Sequence, residues 1–187
     1  MKTGKILLAA MAGFAMTLPA SIASAQALNS GAQTIALNAK LNESLTLTLS
    51  ANTVNFTLSA GSANNPGSAG VTATTAWTLA PGRTAVKVYA YFASAAAALT
   101  DGSASIPSSA FFIADNGGAS TAVTGSVPFG AAGAGLQLAN VAITNANQSS
   151  SHTDAMAFNI NLTGGTLPQL PASTYLGTLN IQAQATP

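Results

Sequence analysis

The chain has 187 residues, no cysteine, five Lys and Arg residues, four Asp and Glu residues and one His, which gives a formal net charge of +1 at pH 7. Charged residues make up 5% of the chain, far below the roughly one quarter that is usual in soluble domains. Such a surface does not attract nucleic acid or anionic lipid. The lack of cysteine excludes a disulfide framework and a lipid anchor on a thiol.

Residues 1–25 have the organisation of a secretory signal peptide. Two lysines precede an apolar stretch at 6–18, and Ala-Ser-Ala at 23–25 offers a cleavage site, with a second small-residue site at 25–27. The apolar stretch is too short to span a bilayer as an anchor. We therefore predict a secreted bacterial protein, located in the periplasm, on the cell surface or outside the cell, without a stable membrane anchor. Cleavage leaves three basic residues against four acidic ones, a net charge of −1.

After a flexible leader at 26–31, we expect one domain at 32–187 that is built from β-strands. The hydrophobic residues recur with a period of two, which is typical of strands with one buried face. The alternating segments are 33–41, 44–50, 53–59, 70–80, 85–93, 135–144, 155–164 and 174–185. Clusters of Gly, Pro, Asn, Asp and Ser separate them, as turns would. This pattern predicts an antiparallel sandwich or barrel.

A catalytic triad is not predicted, although Ser151, His152 and Asp154 stand close together in the sequence. A Ser-His-Asp triad needs three side chains that converge from separate elements. Neighbours within one short segment do not meet that requirement, so we interpret the segment as a solvated loop. In this interpretation Asp154 forms a turn before the strand at 155–164.

The remaining acidic and glycine-rich segments are also explained by turns. Asp101 and Asp115 each stand alone in a turn-forming sequence, whereas calcium sites usually contain several carboxylates and glycosidases use a carboxylate pair across a cleft. The glycine-rich segment 129–137 lacks the Lys-Ser/Thr of a phosphate loop, and no helical pattern follows it. We therefore expect no enzymatic activity, no catalytic residues, no cofactor and no metal site.

The aromatic residues have structural or binding roles in this interpretation. The alternation places Trp77, the one tryptophan, with the apolar residues of its segment, so we expect it in the core. Lys87, Tyr89 and Tyr91 share one face of the strand at 85–93. That face is either an exposed stripe that contacts sugars or a neighbouring subunit, or an inner face that packs in the core.

The final segment carries a short pattern of the form PA-x-x-Y-x-G-x-L-x-I. Its residues are Pro171, Ala172, Tyr175, Gly177, Leu179 and Ile181, with Ser173 where a Gly is usual. Over these residues the chain resembles the last hairpin of exported bacterial immunoglobulin-like modules, including pilin-like and spore-coat-U-type subunits. The resemblance implies an antiparallel immunoglobulin-like β-sandwich of about eight to ten strands, with Tyr175 as a tyrosine corner and Gly177 at a bulge or close contact. The cysteine pair and penultimate Tyr common in chaperone–usher pilins are absent.

Together these features predict a non-enzymatic surface or structural protein. Few charges protect the strand edges against pairing, so copies could self-assemble in a pilin-like way, with the segment 29–41 added as a strand to a neighbour. We favour the simpler arrangement, in which this segment is the first strand of its own domain. The alternative function is a polysaccharide-binding β-sandwich module that uses Tyr89 and Tyr91. Expected partners are further copies, other surface subunits or polysaccharide, and not nucleic acid.

Overall fold

The computed structural model describes residues 30–187, so the predicted signal peptide and most of the flexible leader at 26–31 lie outside the described residues. The chain divides into two units, Met1–Ala39 and Lys40–Pro187. Residues 30–39 have no regular secondary structure, and every described strand belongs to the second unit. Within residues 30–187, no helix is long and apolar enough to cross a membrane.

The described part of the chain is all-β. Its strands are β1 Ser44–Leu49, β2 Asn65–Pro66, β3 Val71–Thr78, β4 Ala85–Tyr91, β5 Leu99–Thr100, β6 Ser105–Ile106, β7 Phe111–Asp115, β8 Thr121–Ala122, β9 Gly135–Ala142, β10 Ser149–Ile160 and β11 Asn180–Thr186. Two single turns of 3-10 helix, Ser108–Ala110 and Leu167–Gln169, are the helical elements of this region.

The strands form antiparallel sheets, as the alternation predicted. A six-stranded sheet has the order β1-β3-β10-β7-β8, with β2 also paired to β10. A three-stranded sheet has the order β11-β4-β9, and β5 pairs with β6 in a small hairpin. Side chains of both larger sheets contribute to one hydrophobic cluster. The arrangement is compatible with a β-sandwich.

The core contains two clusters of buried side chains. The larger is centred on aromatic rings: Phe111 packs edge-on against Phe92 at a centroid distance of 5.2 Å and against Phe56 at 5.8 Å. The smaller cluster holds Trp77 with Leu79, Val86 and Ile143. The Trp77 indole is 3% exposed, and its Nε1 donates to the Asn147 carbonyl at 2.9 Å. A buried indole needs this partner because an unpaired N–H in the core is costly.

Two strands differ from the sequence-based expectation. No strand was predicted at β7, because its Phe-Phe-Ile run does not alternate cleanly, yet β7 pairs with β10 over five residues. The segment Ser149–Asp154, predicted as a loop, is instead the first half of the twelve-residue β10. This segment pairs with β3, so its backbone is bonded although its side chains are polar.

Three other predicted segments are shorter or absent. Segment 33–41 forms no strand, and segment 53–59 forms only an isolated bridge between Phe56 and Gly67. The last strand begins at Asn180, so Tyr175 and Gly177 precede it. Alternation identifies an amphipathic segment, but a strand also needs a partner on at least one side along its whole length.

The substitution Phe111→Ala tests the aromatic centre of the core. Phe111 is 5% exposed, so its loss should lower the free energy of unfolding by about 3–5 kcal/mol. Phe112→Ala is the matched control, since the neighbouring ring lies on the opposite face of β7 and is half-buried. Urea denaturation measures both. Equal losses for the two variants would contradict the proposed core.

Candidate functional site

A groove of about 730 Å³ opens along one edge of the domain. Its first wall is the extended segment 51–58, and its second wall is the segment 172–179. The floor is formed by apolar core side chains: Val71, Phe92, Phe111, Met156, Phe158 and Ile160. Protein interiors contain few voids larger than a water molecule, whereas ligand sites have volumes of about 300–1,000 Å³. The edge groove is therefore large enough to be a binding site.

The first wall is attached to the fold on one side. Ser68 N donates to the Asn55 carbonyl at 2.8 Å, and Asn55 N donates to Ser68 Oγ at 3.1 Å. Phe56 bridges Gly67, where a Cβ would collide with the Val54 side chain at 2.7 Å. Among the described residues, no backbone hydrogen bond joins the first wall to the second.

The second wall is also attached on one side only, to β5. Thr100 and Leu176 exchange two backbone hydrogen bonds of 2.8 and 2.9 Å. The Tyr175 hydroxyl donates to the Pro171 carbonyl at 2.9 Å, four residues upstream. Gly177 lies so close to Ala98 that a Cβ would strike the Ala98 carbonyl oxygen. The Leu176 side chain is 71% exposed.

Asp101 stabilises the β5–β6 hairpin to which the second wall is attached. Its Oδ1 accepts hydrogen bonds from Ala104 N at 2.6 Å and Ser103 N at 2.9 Å. These two N–H groups, first that of Ala104, hold the pKa of Asp101 below its usual value. Loss of solvent, and to a smaller extent the charge of Asp101, raises the pKa of Tyr175.

The segment 33–41 does not pair as the first strand of its own domain, so that favoured expectation is wrong. Its large apolar side chains are exposed: Ile35 is 85% exposed, Leu37 is 89% exposed and Leu41 is 84% exposed. They alternate with smaller or polar residues. This segment, which we call the exposed leader, therefore presents one apolar edge to solvent.

Lys87, Tyr89 and Tyr91 occupy one face of β4, the face opposite its buried valines. The Tyr89 ring is 5% exposed and packs edge-on against Phe129 at 5.9 Å. Tyr91 is half-buried, lies 5.9 Å from the same Phe129 ring, and donates its hydroxyl to Gln182 Oε1 at 2.8 Å. The three residues share a face, but the loop at Phe129 covers Tyr89, so a sugar would reach Tyr91 and Lys87 first.

His152 and Asp154 do not lie in a solvated loop, which corrects that interpretation. Asp154 is fully buried within β10, and its Oδ1 lies 3.0 Å from His152 Nε2. Ser151 is exposed on the other face of the strand, so the three residues form no triad. Loss of solvent, and next the charge of Asp154, raises the pKa of Asp115. Extending the alternation from Met156 back to Asp154 would have shown that Asp154 faces the core.

No protein-family model, curated protein or solved structure matches this chain. Within residues 30–187, no group of three or more His, Cys, Asp and Glu side chains is placed to hold a metal ion. The edge groove has the dimensions of a binding site, and its lining is mainly apolar with two backbone walls. Its chemistry suits an extended apolar peptide better than a charged small molecule.

The substitution Gly177→Ala tests the close contact that positions the second wall. The added Cβ should force the wall away from Ala98, lower the free energy of unfolding by about 1–3 kcal/mol and speed amide exchange at Thr100 and Leu176. Gly164→Ala is the control, since no atom lies within 4 Å of a Cβ there. Its effect should stay within about 0.5 kcal/mol. Equal exchange rates in the two variants would contradict this role of Gly177.

The pH dependence of Asp101 gives a second test. Because its pKa is lowered on folding, its hydrogen bonds stabilise the fold fully above the ordinary pKa of 3.8, and this stabilisation is lost as the pH falls through the folded pKa. The difference in unfolding free energy between the wild type and Asp101→Asn should therefore be largest above pH 3.8 and decline in stronger acid. A difference that is constant with pH would contradict the assignment.

Proposed function

We propose that this protein is a secreted structural subunit of the bacterial surface that self-assembles by β-strand pairing. It is a pilin-like, immunoglobulin-like β-sandwich in which the exposed leader of one copy lies in the edge groove of the next. The observation that carries the proposal is the edge groove itself, an apolar channel of about 730 Å³ between two walls that do not pair with each other.

The groove favours an extended peptide as its occupant. A strand added between the walls would form main-chain hydrogen bonds with them, while every second side chain would enter the apolar floor. The floor includes Phe111 and Phe158, whose ring centroids are 5.8 Å apart. These rings are already only 5% and 7% exposed, so a row of inserted apolar side chains would pack against a floor that belongs to the core.

The exposed leader has the matching pattern and length. Ile35, Leu37, Ala39 and Leu41 would point to one side of an extended strand. Nine residues in this conformation span about 30 Å at ~3.3 Å per residue, and the eight residues of either wall span about 26 Å. Burying each Leu or Ile side chain contributes about 1.5–3 kcal/mol, so three of them favour insertion substantially.

In this proposal the leader that fills the groove comes from another copy, because a leader of the same chain would lie beside β1 for much of its length. Leu41 lies three residues before Ser44, so it stays within about 11 Å of the start of β1. The six residues of β1 then separate that point from the first wall by about 20 Å. A leader folded back along its own chain would lie mainly beside β1. A head-to-tail contact between copies builds an open filament when the rotation from one copy to the next does not close into a ring.

Further features support the export and the immunoglobulin-like topology in this proposal. The N-terminal 25 residues follow the signal-peptide pattern, and the chain has no cysteine that would need oxidation after export. The hydrogen bond from Tyr175 to the Pro171 carbonyl has the form of a tyrosine corner. The low charge of the chain also leaves little electrostatic repulsion between copies.

A pair of leader substitutions tests the assembly. The exported wild type should form filaments or large oligomers by light scattering and negative-stain microscopy. Leu37→Asp places a charge on the apolar side of the leader and should leave monomers, because a buried unpaired carboxylate is costly. Asn38→Asp adds the same charge on the opposite side and should still assemble. A wild type that stays monomeric, or two variants that assemble equally, would contradict the proposal.

A further inference from the structure

The outer face of the three-stranded sheet carries a row of long polar side chains that crosses all three strands. Gln184 on β11 and Asn140 on β9 both lie directly opposite Lys87 on β4. Neighbouring strands are about 4.8 Å apart, so this row is about 10 Å wide. The row is therefore wide enough to contact more than one ring of a sugar polymer.

A bulge in β9 adds a second polar row to this face. The register of β9 against β4 shifts just before Tyr89, so Gln137 rather than Leu138 lies opposite that residue. Leu138 packs against the core cluster instead, and Gln137 is exposed. Gln182 lies opposite Tyr89 on the other side, in β11. Bulges commonly redirect a side chain, and this one turns an amide toward the outer face.

The amides are concentrated on this one sheet. Its three strands contain Gln137, Gln182 and Gln184, and the other described strands contain no glutamine. Along β3 and the part of β10 that pairs with it, by contrast, the outer side chains are short Ser, Thr and Ala residues. A carboxamide both donates and accepts two hydrogen bonds, which suits the neighbouring hydroxyls of a sugar.

Lys87 gives this face a positive charge that nothing on the sheet compensates. It is the one charged residue in the three strands, and the salt bridges of residues 30–187 do not involve it. The acidic residues of the chain all lie outside this sheet: Glu43, Asp101, Asp115 and Asp154. Because no carboxylate of the protein competes for the ammonium group, the face is complementary to an anionic ligand.

An aromatic wall closes one end of the face. Phe129, in the loop before β9, packs against Tyr89 and Tyr91 at centroid distances of 5.9 Å. The neighbouring Gly130 lets this loop lie close, since a Cβ there would strike the Tyr91 ring. The Tyr91 hydroxyl donates to Gln182 Oε1 at 2.8 Å. This bond uses the amide oxygen, so the amide N–H groups of Gln182 remain as donors for a ligand.

We propose that the outer face of the three-stranded sheet binds an acidic polysaccharide, a polymer of uronic acids with free carboxylates. Lys87 pairs with a sugar carboxylate, and the flanking amides of Gln184 and Asn140 bond to sugar hydroxyls. Tyr91 and Phe129 contact the apolar side of a neighbouring ring. The edge groove is lined by core-facing side chains, whereas this face points outward, so occupancy of one does not block the other.

Titration calorimetry of the exported chain tests the ligand class, with short fragments of polygalacturonate and of alginate as the probes. The polymer that binds more tightly is then compared with its methyl ester, which keeps the sugar backbone and removes the charge. The acid form should bind at least about tenfold more tightly, because the ester loses the charged hydrogen bond to Lys87. This preference should shrink as NaCl is added, since salt screens exposed charges.

Matched substitutions locate the binding face. Lys87→Gln should weaken binding to the acid form by about tenfold and remove its salt dependence, whereas Lys40→Gln makes the same change in the exposed leader and should leave the affinity unchanged. Gln184→Ala should weaken binding by about two- to tenfold. Gln169→Ala is its control, because Gln169 is exposed and lies outside the sheet. Urea denaturation checks that each variant is folded.

Three results would overturn the polysaccharide proposal. Equal affinity for the acid and its ester would show that the carboxylate is not recognised. Equal affinities of Lys87→Gln and Lys40→Gln would place the ligand elsewhere on the protein. No binding of either polyuronate to the wild type would show that the face is only a solvated surface. None of these results bears on strand pairing, because neither Lys87 nor Gln184 lines the edge groove.

Discussion

The pairing of β3 with β10 positions nearly everything else in this domain. The two strands pair from Ser149↔Thr78 to Met156↔Val71, and both lie in the middle of the six-stranded sheet. A shift of one residue would turn His152, Asp154 and Met156 outward and bring Ser and Thr side chains into the core. Most residues of both strands are small, so the register depends on Trp77 at one end and on the phenylalanine cluster beyond Met156 at the other.

The same register explains what could and could not be predicted from the sequence. Segments 70–80 and 85–93 alternate clearly, and both form strands with a buried face. Alternation failed at Ser149–Asp154, because polar residues on a solvated outer face resemble a loop, although the strand continues through them. The alternation also failed to predict β7, because its two adjacent phenylalanines lie on opposite faces of the strand. In each case pairing with a neighbouring strand, which local sequence does not encode, decided the outcome.

The sequence also predicted strands where none form, and two of these segments bear on the candidate site. Segments 33–41 and 53–59 both have an apolar side, yet neither has a partner along its full length. One is exposed, and the other forms a wall of the groove with backbone groups not used by the second wall. The exposed leader is an amphipathic segment that belongs to no sheet. The edge groove lies between two walls that do not pair with each other. Sequence alone could show the first but not the second, because the groove is formed by residues distant in sequence.

The acidic residues of the chain differ in how their carboxylates are satisfied. The chain has four Asp and Glu residues, and two of them satisfy their carboxylates at or near the surface. Glu43 accepts from Arg83 and from the Ala80 N–H, and Asp101 accepts from two backbone N–H groups. The other two, Asp115 and Asp154, each keep one buried oxygen without a donor. A chain with so few charges has abundant Ser, Thr and Asn for structural hydrogen bonds, so the two carboxylates that face the core are an unusual choice for a purely structural role.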